Sequence, residues 1–108
     1  MSGTVLDVTD ADFDEKVLQS DQLVLAVFRA EWSGPCRALD PVLADVAKEY
    51  AGRAVVARLD IDRSPETPPK HDVTAIPTLH VFKGGAKVAT RIGPAAKNDV
   101  TRLITPHL

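Results

Sequence analysis

Six consecutive apolar residues, Leu23 to Phe28, constrain this chain more than any other feature. A strand with one wet face alternates apolar and polar side chains, whereas an unbroken run is the pattern of a strand buried on both faces. Such a strand needs covering layers above and below it, which points to an α/β arrangement with this segment inside the sheet.

The flanking segments alternate in a way that supplies those layers. A short strand at about residues 4–8 precedes residues 10–19, where Phe13 and Val17 lie one turn apart behind the weak capping pattern Thr9-Asp10-Ala11-Asp12, predicting a short amphipathic helix. From Ser33 to Tyr50, Cys36, Leu39, Leu43, Val46, Ala47 and Tyr50 recur at three- and four-residue steps, the mark of a long helix that ends before Gly52. Pro41 lies inside it and is expected to kink it by deleting one backbone donor. Residues 53–61 read as a second inner strand, and Pro65 starts a short helix that Pro68-Pro69 should limit. Thr78 to Lys83 and Ala86 to Ile92 read as a hairpin around Gly84-Gly85, with Gly85 supplying the positive φ that a tight turn needs. A final helix carries Val100, Leu103 and Ile104.

A chain of 108 residues fits one domain, 1–108, and at that length roughly two-thirds of the unfolded surface can be buried without staples. The formal charge of -2, from 13 basic and 15 acidic residues that are interspersed, gives no field to draw nucleic acid or an anionic membrane. Cys36 is the single cysteine, so no internal disulfide can form, and His71, His80 and His107 are scattered rather than grouped for a metal. Neither a metal nor another cofactor is expected. Met1-Ser2-Gly3-Thr4 does not open a secretory leader, and no stretch approaches the roughly 18 apolar residues of a membrane span, so a cytoplasmic location is the expectation.

The chemistry-bearing residues gather just past the central strand, at the end where open α/β sheets keep their sites. There the chain reads Ala30-Glu31-Trp32-Ser33-Gly34-Pro35-Cys36, with Ile76-Pro77-Thr78 forty residues after Cys36 and Gly93 further on. Across about the whole chain this closely resembles the thioredoxin family. The resemblance rests on the Trp32 motif after an apolar strand, Pro41 in the helix, and Ile76-Pro77-Thr78 together. It implies the thioredoxin fold: a central mixed sheet of five strands flanked by four helices, in the order β-α-β-α-β-α-β-β-α.

It also implies a redox-active Trp-Cys-Gly-Pro-Cys motif, and Ser33 stands in place of the attacking cysteine. A serine hydroxyl is a far poorer nucleophile at neutral pH and offers no sulfur for a mixed disulfide, so dithiol–disulfide exchange should be absent or strongly impaired. Serine does suit a helix N-cap, which is the role expected of Ser33. Cys36 matches the resolving cysteine and has nothing to resolve; it reads either as a small buried apolar residue or as the reacting thiol of a monothiol enzyme taking peroxide or a glutathione adduct. In peroxiredoxins a threonine or serine precedes the reactive cysteine by three residues, the spacing of Ser33 and Cys36, but the proline expected four residues before that hydroxyl is replaced by Arg29.

Other departures surround the motif. Val27 stands where the family usually carries a buried aspartate that moves protons, Arg29 replaces a tryptophan, and Arg58 replaces the lysine beside that acid. Asp40, one helical turn after Cys36, is a candidate relocated acid that pairs with Arg58 or Arg29; alternatively it is solvated and Arg58 extends outward. His80 reads as a core histidine with one hydrogen-bond partner, or as a proton donor near Cys36.

By resemblance, Trp32, Gly34, Pro35, Ile76, Pro77 and Gly93 form a shallow apolar groove for extended protein or peptide segments, including disulfide-bearing ones, with Ile76-Pro77 as the cis-proline loop. Three functions remain open: partner binding without electron transfer, a monothiol enzyme built on Cys36, or a protein-disulfide reductase inactivated by an engineered cysteine-to-serine change. A monomer or weak dimer fits each.

Overall fold

The computed structural model describes residues 3–108; Met1 and Ser2, part of the expected leader-free N-terminus, lie outside the described residues. Five strands, β1 (Leu6–Val8), β2 (Leu23–Arg29), β3 (Ala54–Asp60), β4 (Thr78–Lys83) and β5 (Ala86–Ile92), form one sheet in the order β1-β3-β2-β4-β5. β1, β3 and β2 are parallel, whereas β4 pairs antiparallel with β2 and β5 antiparallel with β4. Helices α1 (Gly34–Glu49), α2 (Thr67–Lys70) and α3 (Lys97–Ile104), with a helical turn at Asp14–Leu18, surround it. This is the mixed five-stranded sheet with four helices that the sequence led us to expect.

Every residue of β2 is buried, because the strand serves two cores at once. Leu23, Leu25 and Val27 pack with Leu39, Leu43 and Val46 of α1 and Val100 and Ile104 of α3. Val24, Ala26 and Phe28 face the other way, against Phe13, Val17, Leu59 and Phe82. The period-two alternation of strand side chains therefore assigns each later residue to a face. Val27 and Arg29 belong to the α1 face, and so does Arg58, which stands opposite Val27 in the parallel register.

Two local expectations change. The helix expected over 10–19 is only the turn Asp14–Leu18, closed by an i→i+5 bond in which Gln19 N donates to Asp14 O at 3.0 Å. Residues ahead of it form tighter turns, with Asp12 Oδ1 accepting from the Thr9 amide at 2.6 Å. Pro68 and Pro69 do not limit the short helix; they lie inside α2, which starts at Thr67 rather than Pro65. The first four residues of a helix need no intrahelical N–H bond, so proline is tolerated there. Pro41 lies inside α1, as expected, and on its exposed side, and the helix continues to Glu49.

The first turn of α2 is satisfied from far away in sequence. Asp10 accepts from the Thr67 amide at 2.8 Å, the Thr67 hydroxyl at 2.6 Å and the Glu66 amide at 3.1 Å. Burial alone would raise the Asp10 carboxyl, but these donors outweigh it and hold it below its ordinary value. At the hairpin, Gly84 and Gly85 both take positive φ, +60° and +84°, as the tight turn requires.

Candidate functional site

The chain leaves β2 at Arg29 and enters α1 at Gly34, so the motif is set at the carboxyl ends of the parallel strands. Ser33 is the N-cap of α1: its backbone is extended, and its Oγ accepts from the Cys36 amide at 3.3 Å. Pro35 follows in the first helical turn, where its missing N–H costs nothing. Ser33 is buried and Cys36 is 1 % exposed, packed as the first inward position of the helix. Trp32, by contrast, is 67 % exposed, and its indole N–H donates to Asp62 at 2.8 Å.

Beside Trp32 lies an open apolar groove of about 290 Å³, lined by Trp32, Ile61, Pro68, Val73, Ala75 and Ile76 among others. The Ile76-Pro77 bond is cis, and Pro77 O accepts from the Gly93 amide at 2.8 Å, tying the loop to the end of β5. The structure thus brings Trp32 and Ile76 into one groove. Gly34 and Pro35 are exposed at the start of α1, and together with Pro77 and Gly93 they do not line that groove. Ile61, Pro68 and Val73 were not anticipated, since they are brought to Trp32 by the exit from β3 and by α2, and no local pattern in the sequence marks them.

Behind the motif the charges form a connected chain. Asp40 accepts from Arg29 Nη2 at 3.1 Å through one oxygen and from Arg58 Nη1 at 3.4 Å through the other. Arg29 also reaches Glu31 at 3.2 Å, and Arg58 Nε reaches Asp7 at 2.6 Å. The two pairings expected as alternatives for Asp40 therefore coexist. Strand parity explains why: Arg29 and Arg58 project from the sheet face that α1 covers, and Asp40 descends from α1 between them. Val27 sits in the apolar cluster below, so the strand position at which the family resemblance implies an acid is filled by hydrocarbon.

His80 is on the other face. It pairs in register with Ala26 and lies against Phe28 and Phe82 with ring centroids 5.3 and 6.0 Å away, across the sheet from α1 and Cys36. Its Nδ1 is buried without a hydrogen-bond partner among the described residues, where one partner had been expected. Burial, aided by Lys87 and His71, pushes its pKa down from 6.5 to about 4, so the ring is neutral at physiological pH. Among the described residues no group of His, Cys, Asp and Glu side chains is arranged to hold a metal.

The sheet order, the cis-proline loop against an exposed tryptophan and the cysteine in the first turn of α1 define a protein of the thioredoxin-fold class. Comparison with known proteins narrows the class: the thioredoxin family model matches residues 4–106. The chain is 42 % identical to thioredoxin of Pseudomonas aeruginosa and 43 % identical to thioredoxin of Acidithiobacillus ferridurans, in each case over all of both chains. It is 36 % identical to thioredoxin 2 of Chlorobaculum tepidum over all of this chain and 99 % of that one. The chain belongs to the thioredoxin family. Among the described residues no helix is long and apolar enough to cross a membrane.

Proposed function

We propose that this thioredoxin-family protein binds extended protein segments in the cytoplasm, as a monomer or weak dimer, with little or no dithiol–disulfide exchange. One observation carries the reading: the position of the attacking thiol is occupied by a buried helix cap, Ser33, while the apolar groove beside the exposed Trp32 is open. A hydroxyl that caps a helix supplies neither a thiolate nor a sulfur leaving group, so the mixed-disulfide step has no first atom. An extended segment laid across Trp32 and Ile76 can still bury apolar surface and meet backbone groups of the cis-proline loop. The burial of Cys36 weighs against a monothiol enzyme, because a reacting sulfur must be reached by its partner.

Reduction of insulin disulfides tests the proposal. The protein should give no turnover above the background of the added thiol, and Ser33→Cys should regain only part of a thioredoxin's rate, since Val27 offers no proton acceptor to the resolving position. An apolar peptide should quench Trp32 fluorescence and lose affinity in Ile76→Asp. Full reductase activity in the unmodified chain, or alkylation of Cys36 as fast in the folded as in the denatured protein, would overturn the reading.

A further inference from the structure

A second concavity, of about 190 Å³, opens at the carboxyl ends of β1, β3 and β2, away from the groove. Three guanidiniums line it, those of Arg29, Arg58 and Arg63, with the carboxylates of Asp7, Glu31 and Asp60. We propose that it is a binding site for a carboxylate ligand, whose place the side chains of Glu31 and Asp7 hold in the free protein.

Two of the cations are built into the fold, whereas two of the anions are not. Arg29 is only 5 % exposed along its side chain and is pinned by Asp40 at 3.1 Å, and Arg58 is pinned by the same carboxylate. Glu31 and Asp7, their outer partners, are 75 % and 73 % exposed. Both acids thus reach their cations from the solvent side, where water can take up either carboxylate once it turns out. Arg29 has in addition one donor left over: its Nε is buried with no acceptor among the described residues. A buried donor in that state carries an uncompensated desolvation cost, so the protein itself leaves the Arg29 guanidinium incompletely paired. Arg63 is exposed on the rim and, among the described residues, makes no ion pair, so it is free to close on a ligand.

The charge count sets the ligand class. With Glu31 and Asp7 turned out, three guanidiniums face two remaining carboxylates, Asp40 and Asp60, and the surplus positive charge matches one carboxylate. Guanidinium and carboxylate also match in plane and spacing, which favours paired hydrogen bonds. Such a group can come from a small organic acid or from the end of a peptide chain.

The test follows the side-chain Nε–H resonances of Arg29, Arg58 and Arg63 by NMR while acetate, N-acetylglycine or neutral N-acetylglycinamide is added at constant ionic strength. Saturable shifts with acetate and N-acetylglycine alike indicate a small-acid site; much tighter binding of N-acetylglycine indicates a chain end. Either outcome supports the proposal if the neutral amide does not bind. Glu31→Gln removes the stand-in and should tighten binding about two- to fivefold, the equivalent of one exposed ion pair, while Arg63→Ala should weaken it. Absence of saturable shifts, equal shifts with chloride or with the amide, or an affinity that Glu31→Gln leaves unchanged or lowers would overturn the proposal.

Discussion

Replacing His80 by leucine should remove a specific part of this protein's sensitivity to acid. The imidazole is buried between Phe28 and Phe82, and it is held neutral first by its burial and then by the positive charges of Lys87 and His71, with Asp72 opposing weakly. Its pKa therefore falls from 6.5 in the unfolded chain to about 4 in the folded one. Above the unfolded value neither state holds the proton, and the residue makes no demand on stability. As pH drops below 6.5 the unfolded chain takes up a proton that the folded chain refuses, so stability declines until the folded ring titrates near pH 4. At 1.36 kcal/mol per unit the full loss is roughly 3 kcal/mol, of which about 2 kcal/mol has gone by pH 5. Leucine has nearly the same volume, suits the apolar surroundings and removes the unpartnered Nδ1. Urea unfolding of both proteins at pH 7 and pH 5 isolates this contribution, because the other titrating groups, His71 and Asp10 among them, are present in both. The unmodified protein should lose about 2 kcal/mol more than His80→Leu over that interval. Equal losses, within about 0.5 kcal/mol, would refute the reasoning and mean that the ring accepts its proton in place.

The charge chain behind the motif gives an asymmetric expectation: Asp40→Ala leaves the buried Arg29 with only the solvent-exposed Glu31 and should cost about 3 kcal/mol in chemical denaturation, whereas Glu31→Ala, on the exposed side of the same guanidinium, should cost about 0.5 kcal/mol. Adding Arg29→Leu to Asp40→Ala should recover most of that loss. Ser33→Ala deletes the N-cap of α1 and should destabilise by about 1 kcal/mol, lowering the thermal midpoint by about 5 °C, while Ser33→Gly should cost only a few tenths. At the hairpin, a Cβ on Gly85 would lie 2.8 Å from the Leu18 carbonyl oxygen at φ +84°, whereas Gly84 faces open space. Gly85→Ala should therefore cost clearly more than the roughly 1 kcal/mol of positive-φ strain expected for Gly84→Ala, as read from their urea midpoints.

Long, periodic segments were legible from sequence alone, because their signal is local. The apolar steps from Cys36 to Tyr50 set α1, and the continuous run at Leu23 set β2, each within a residue or so of its observed bounds. Ser33 as a cap was readable for the same reason. The prolines at 68 and 69 misled because a proline marks either the end of a helix or its first turn, and which applies depends on Asp10, more than fifty residues earlier. The partners of Asp40 were half legible: helix spacing gave its direction, and Arg29 and Arg58 were named as alternatives because they depart from the family around the lost acid. Glu31 and Asp7 as outer partners depended on how the strand ends come together in space. Part of the groove's lining was out of reach for a similar reason, since Ile61, Pro68 and Val73 come to Trp32 only through the tertiary course of the chain.

The carboxylate of Asp10 also gives the groove a history during synthesis. Pro68 forms part of its wall, α2 carries Pro68, and the first turn of α2 is completed by a residue near the beginning of the chain. That beginning is itself anchored by β1 pairing with β3, a strand translated some fifty residues later. The groove is thus assembled by closing a long loop, and it should be among the later parts of the molecule to take shape. A fragment starting at β2 would retain Trp32, Ser33, Cys36 and Ile76 in sequence yet lack the cap that sets one wall. The groove belongs to the whole chain, and grafting the motif onto another scaffold would not carry it across.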